Sequence, residues 1–512
     1  MWFRAILANP ESSTRNLRCG SSVTNLSAPI LYERVTMPYL QNLTEPLVHR
    51  DQRTVDIWTR LLRFLMLGSE CGTYYVQQRA LTVENATAVI ECLKTDGLRV
   101  VRTVVEISVA GRAPKNEPAL FALALAASPN FADVITISAA LEVLPEVART
   151  GTHLCSFAAF VENLRGWGRG LRSAVADWYL SKPASELAYQ MLAHPHCSGW
   201  SHRDLLRLSH PKAATPAHNA LFQWAVDGEL GHLASAQILS GDLRQIRAFE
   251  LAKKSASQDE IVQLIEENRL TPEMIPSEWQ DSARVWEALL PSMPYMDLMR
   301  RLAKLTAVGL IQPQSPATAL AVARLIDRKR IANSRVHPIA LVDAQLTYKQ
   351  EPAAVASVID ALDEAFHLAI ENVEPTGKRI YLAVDAASST TMSDTLAMVF
   401  AKREPNCISS SNPSFPMRDV DAFVIFSDHS PSADALEHYR RSSGIAVKLV
   451  VIGCSTDPDD ALQLGIVGFD ASVPQVVAEF IKQPVAYARG SEGSVPVAYG
   501  RGAEGGVTEP RP

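Results

Sequence analysis

Between Val55 and Val373 one pattern recurs over roughly 300 residues: apolar side chains mostly at i, i+3, i+4 and i+7, with almost no strand-like alternation. That spacing gives a helix a single apolar stripe. It predicts helices at Ile57–Leu67, Val83–Leu93, Asp133–Leu144, Ala217–Val226, Ile261–Leu270 and Ala317–Ile331. Turn chemistry punctuates them at Gly111 to Pro114, Ser181 to Pro183, Pro211 to Pro216, Pro291 to Pro294 and Pro313 to Pro316. A short amphipathic helix cannot bury its stripe alone. Such a run therefore stacks as helical repeats or collapses into an irregular helical globule. No strict sequence period decides between the two.

The character changes at Glu374–Arg379. Ile380–Val384, Ala422–Phe426 and Val447–Ile452 are short apolar runs rich in β-branched residues. Asp394–Ala401, Ala433–Arg441 and Val473–Lys482 read as helices. Strands alternating with helices imply a parallel sheet covered on both faces. Beyond it, PVAYARGSEG (Pro484–Gly493) recurs as PVAYGRGAEG (Pro496–Gly505). Its Gly, Arg, Glu and Tyr cannot build a core, so a disordered tail is expected, adding at most weak RNA affinity. The opening residues carry Arg4, Arg15, Arg18 and Arg34, faintly like an organellar presequence. They show no helical stripe, and a disordered leader is expected. The expected division is leader 1–50, helical repeats 51–375, α/β domain 376–483 and tail 484–512.

The 49 basic and 55 acidic residues leave a net charge of −6, so the whole surface is no magnet for polyanions. Nucleic-acid binding would need a local basic patch. Asn163–Lys212 provides one, with seven basic residues against three acidic. Arg165, Arg169 and Arg172 stand at i, i+4 and i+7 and are expected on one helix face. Arg203 and Arg207 repeat the i, i+4 spacing on the next, with His202, His210 and Lys212 beside them. Arginine suits the role because its planar fork grips phosphates in pairs and stacks on bases. Neutral His adds hydrogen bonds to bases and sugars. The competing reading is a solvated basic face over a core containing Trp167, Trp178 and Trp200.

Seven cysteines, scattered and without C-x-x-C spacing, suggest no disulfide framework and read as reduced thiols of a cytoplasmic or nuclear protein. His194 and His196 lack the companions of a closed zinc site. Phosphate-loop, zinc-protease and nucleophile-elbow motifs are absent, and an enzyme is not expected. Asp385 and Ser389 follow one strand and Asp428 follows another, where open α/β sheets place ligands. These oxygens suit Mg²⁺, or equally cap the following helices.

Longer motifs carry a more specific signal. They include RFLMLGSECGTYY (Arg63–Tyr75), GRAPKNEPALFALA (Gly111–Ala124), WGRGLRSAVADWY (Trp167–Tyr179) and GWSHRDLLRLSH (Gly199–His210). LIEENRL (Leu264–Leu270), RVHP (Arg335–Pro338), VEPTGKR (Val373–Arg379), LAVDAASS (Leu382–Ser389), FVIFSD (Phe423–Asp428) and VGFD (Val467–Asp470) continue the series. Through them the chain resembles the Ro ribonucleoprotein autoantigen family, the TROVE-domain proteins, over about residues 55–483. The resemblance implies a ring of HEAT-like helical repeats closed by a von Willebrand factor A-like domain. It implies binding of small noncoding Y RNAs on the basic outer surface and of misfolded RNA 3′ ends in the central hole. RNA quality control and stabilisation by binding would follow, with no membrane partner, no DNA specificity and protein partners at the A-like domain.

Arg165, Arg169, Arg172, His202, Arg203, Arg207, His210 and Lys212 lie in or beside the motifs matching the family's RNA-binding part. The family commonly has Lys where this chain has Ser173, and the change removes one phosphate contact. In the A-like domain the metal pattern D-x-S-x-S reads Asp385-x-Ala387-x-Ser389. Only 42 residues (386–427) separate Asp385 from Asp428. No cofactor is required on this reading, and Mg²⁺ binding at Asp385, Ser389 and Asp428 is expected to be weak or lost. The shortened sheet is expected to expose edges. A protein-interaction scaffold with an incidental basic face is the alternative function.

Overall fold

The computed structural model describes residues 55–77, 80–230, 235–384, 391–409, 419–427, 432–457 and 459–483. The leader 1–50 and the tail 484–512 lie outside them. From Ile57 to Asn372 the chain is helix after helix, and each helix packs chiefly on helices near it in sequence. A continuous apolar core runs through them from Leu61 to Ile370. No described helix is long and apolar enough to cross a membrane.

Ile57–Leu67 is helical over the expected residues, started by the Asp56 carboxylate accepting from the Trp58 and Thr59 amides. Several helices differ from expectation: Asp133–Leu144 is Val134–Glu142 followed by Leu144–Val147, and Ile261–Leu270 is Gln258–Asn268. Val83–Leu93 is part of a longer helix, Thr87–Val109, broken at Asp96 (φ −155°). Ala317–Ile331 is two helices, Pro316–Leu325 and Arg328–Ser334. Asp327 stops the first and caps the second, its carboxylate accepting from the Lys329 and Arg330 amides at 2.9 and 3.2 Å.

The strands are β1 (Thr73–Tyr75), β2 (His196–Cys197), β3 (Trp200–Ser201), β4 (Ile380–Val384), β5 (Cys407–Ser409), β6 (Ala422–Phe426), β7 (Lys448–Ile452) and β8 (Gln463–Val467). β2 and β3 form a small antiparallel hairpin. The others make one sheet, ordered β1-β8-β7-β6-β4-β5, and every pairing in it is parallel. β6 and β7 are buried at every residue, which explains their unbroken apolar runs. The mainly helical region and the C-terminal α/β domain expected from the sequence are both present.

Each end of the sheet is a short strand. The three-residue strands β5 and β1 occupy the two ends of the sheet, and β1 comes from the helical region, far upstream of β4 in the sequence. Further contacts join the same parts. Arg63 donates to the Asp460 carbonyl at 2.7 Å, Tyr74 meets Ser472 at 2.7 Å and Gln475 donates to the Gly111 carbonyl at 2.7 Å. At the other end of the helical region, Arg403 donates to the Val373 and Glu371 carbonyls at 2.8 and 3.5 Å, at the last helical turn Ile370–Asn372. The sheet domain therefore grips both the first and the last helices of the array.

Candidate nucleic-acid interface

Two helices packed against each other carry the candidate face: Arg169–Leu180 and His202–Ser209. In the first, Leu171, Ala174, Val175, Trp178 and Tyr179 are buried. That choice of buried stripe leaves Arg169, Arg172 and Ser173 exposed. In the second, His202, Leu205 and Leu206 are buried and Arg203 and Arg207 exposed. Its start is fixed by a capping box, in which the Ser201 hydroxyl accepts from the Asp204 amide at 3.2 Å and the Asp204 carboxylate accepts from the Ser201 amide at 3.1 Å. Asp204, the residue after Arg203, is thus already engaged. His210 closes the helix in the left-handed conformation (φ 45°), and its ring and the Lys212 side chain are exposed.

Arg169, Arg172, Arg203, Arg207, His210 and Lys212 have no ion pair or side-chain hydrogen bond among the described residues. Arg169 and Arg172 occupy the first and fourth positions of their helix, and its first turn holds no acid. Cations there oppose the helix dipole and cost a few tenths of a kcal/mol each. Folding alone gives no reason to place them at that end.

Arg165 does not belong to this face, contrary to the i, i+4, i+7 expectation. It is the C-cap of the preceding helix, Gly151–Leu164, and Gly166 (φ +73°) turns the chain before Arg169–Leu180 begins. Its half-buried guanidinium donates to the Ala127 carbonyl.

His202 is corrected too. It is 4% exposed, with Nδ1 2.8 Å from the Tyr179 hydroxyl and Nε2 against Gly151, where a Cβ would approach to 2.6 Å. Nε2 has no hydrogen-bond partner. Burial, then the charge of nearby His194, lowers its pKa to about 4. It is a neutral core histidine. Its place at i with Leu205 and Leu206 at i+3 and i+4 was the sequence signal for that role.

The hairpin β2–β3 braces the two helices. The Trp200 ring packs at a tilt against Trp167, just before the first arginine helix, with ring centroids 5.1 Å apart. Ser198 meets Ser156 of Gly151–Leu164 at 3.3 Å. Cys155 and Cys197 are joined as a disulfide, which corrects the reading of all the cysteines as reduced thiols. Their separation of 42 residues carries no sequence signal.

Asp385, Ser389 and Asp428 lie outside the described residues. Among the described residues no cluster of His, Cys, Asp or Glu could hold a metal ion.

Comparison with known proteins adds a second line. The TROVE domain model matches residues 49–267 and 263–355, and the Ro60 vWA domain model matches residues 414–481. The chain is 32% identical over 509 residues to the RNA-binding protein RO60 of Deinococcus radiodurans, covering 84% of this chain and 94% of that protein. It is 28% identical over 564 residues to the RNA-binding protein RO60 of Caenorhabditis elegans, covering 83% and 87%. The crystal structure of the Deinococcus radiodurans RO (RSR) protein superposes with a TM-score of 0.75 at 30% identity, covering 83% of this chain and 99% of that one.

Proposed function

The chain belongs to the TROVE-domain family of Ro proteins, and we propose that it binds RNA through Arg169, Arg172, Arg203, Arg207, His210 and Lys212. The observation that carries this reading is the exposed, unpaired cationic face on two packed helices, in a chain whose net charge is −6. The names of the relatives support it, since both are RNA-binding proteins and neither is named as an enzyme. At the finer level the ligands are small noncoding Y-type RNAs on this face and misfolded noncoding RNAs with single-stranded 3′ ends. The role is RNA stabilisation and quality control in the cytoplasm, by binding and not by catalysis.

The test is a titration against a small stem-loop RNA with a single-stranded 3′ tail, repeated from about 50 to about 300 mM salt. The quadruple variant Arg169→Ala, Arg172→Ala, Arg203→Ala and Arg207→Ala runs beside the wild type. Each lost phosphate contact lowers the slope of log K against log salt by roughly 0.7–0.9, so the variant should lose about 3 units of slope. Equal affinity and equal slope in the two proteins would turn the reading toward the protein-interaction scaffold.

A further inference from the structure

We propose that Cys155 and Cys197 are a reversible dithiol–disulfide couple that sets the placement of the arginine face, and so makes RNA affinity depend on redox conditions. The inference rests on the RNA-binding reading above and names a regulation of that same face.

The Cα atoms of Cys155 and Cys197 are 5.9 Å apart, within the span a disulfide closes without moving the backbone. Cys155 is fully buried in the helix Gly151–Leu164, whereas Cys197 in β2 is only partly covered. A small thiol therefore reaches the pair from the Cys197 side. The other described cysteines, Cys71, Cys92, Cys407 and Cys454, stand outside any disulfide. Burial pushes the Cys92 thiol up to about 12 and the Cys407 thiol up to about 11, which keeps them protonated and unreactive.

The position of the pair gives it leverage. The covalent loop it closes contains the helix Arg169–Leu180, with Arg169 and Arg172. Cys197 lies in the hairpin whose last residue, Ser201, caps the helix bearing Arg203 and Arg207. Without the bond the hairpin keeps only noncovalent ties to Gly151–Leu164 and the Trp167 turn, chiefly the Ser156–Ser198 contact, the tilted Trp167–Trp200 ring contact and the Cys197 sulfur 3.8 Å from the Gly151 carbonyl. The Tyr179–His202 hydrogen bond still joins the two arginine-bearing helices, but the hairpin that starts the second one is held less tightly, and RNA must order it on binding.

The chemistry balances with a low-molecular-weight thiol such as glutathione as reductant. One thiolate attacks the Cys197 sulfur, the S–S bond breaks and Cys155 leaves as a thiolate that takes a proton. A second thiol then attacks the mixed disulfide, releasing the Cys197 thiol and forming the small-molecule disulfide. Two electrons and two protons pass to the protein. Oxidation by oxidised glutathione runs the same steps in reverse.

The experiment uses the full chain, equilibrated with oxidised glutathione or with dithiothreitol. Differential alkylation with peptide mass spectrometry locates the bond. The tailed stem-loop RNA is then titrated against each form and against Cys197→Ser. The expected result is a Cys155–Cys197 bond only in the oxidised protein, and affinity about tenfold weaker on reduction. Cys197→Ser should bind like the reduced wild type in both conditions. Both cysteines alkylated after oxidation, or wild-type affinity equal in the two states, would overturn the inference while leaving RNA binding intact. No RNA binding by either form would instead sink the functional reading on which it rests. Because the wild type alone is compared in two states, a poorly folding variant leaves the test decisive.

Discussion

The Tyr179 hydroxyl lies 2.8 Å from Nδ1 of His202, inside the protein, and joins the two helices that carry the exposed arginines. Both side chains are buried, and the Tyr179 ring also packs edge-on against Phe222 at 5.9 Å. A polar contact of this kind fixes the angle between two helices more sharply than apolar packing does, because a misplaced partner leaves a buried polar atom unpaired.

Tyr179→Phe keeps the ring packing and removes only the hydroxyl. It strands Nδ1 of His202 in the core, at a cost of about 1–3 kcal/mol. The midpoint of urea unfolding should fall with an unchanged slope. A midpoint equal to wild type would mean the contact contributes nothing to the fold.

His202 also predicts a pH dependence. Burial holds it neutral down to about pH 4, whereas the same ring in the unfolded chain titrates near 6.5. Between those values the unfolded state binds the proton better. The associated stability is therefore complete above pH 6.5 and is lost as the pH falls toward 4, by up to about 3 kcal/mol. His337, which burial likewise lowers to about 4, adds a loss of the same sign. Unfolding at pH 7 and pH 4.5 should show a smaller acid loss in His202→Phe than in wild type. Identical losses would assign the acid sensitivity to other groups.

Ser173 is exposed directly after Arg172, four residues past Arg169 on the same helix, and faces solvent. Ser173→Lys should add one phosphate contact, steepening the slope of log K against log salt by about 0.7–0.9 and tightening RNA binding several-fold at low salt. Unfolding should barely change. If the slope stays at the wild-type value, the RNA backbone does not pass over this part of the helix.

Arg63 tests the join between the helical region and the sheet domain. Arg63 is 7% exposed and its guanidinium donates to the Asp460 carbonyl, while the Asp460 carboxylate pairs with Arg440 at 2.6 Å. Arg63→Met removes the crossing bond without leaving Asp460 an unpaired charge. It should cost about 2 kcal/mol and raise hydrogen exchange in β1 and β8 before it does so in β6. Uniform loss of protection through the whole sheet would contradict a local joint.

The local periodicities of the sequence determined most of the secondary structure. A helix needs only one stripe and a buried parallel strand only one apolar run. Hence Ile57–Leu67, β4 and β6 were legible to the residue, and the long uninterrupted motifs pointed to the family. Partners distant along the chain were decided by the tertiary structure alone. Thr73–Tyr75 is too short to announce a strand and becomes β1 only because β8 offers an open edge. Arg165 and Arg169 share a helical spacing, yet one glycine turn between them sends the first to Ala127 and leaves the second in solvent. His202 and Arg203 are neighbours in one motif. The histidine is buried because its ring is neutral and Nδ1 has the Tyr179 hydroxyl as partner, and the arginine stays outside because its charge has no partner within. Cys155 and Cys197 meet across 42 residues for the same reason that no pattern foretold it: pairing depends on where two segments pack, which local spacing does not encode.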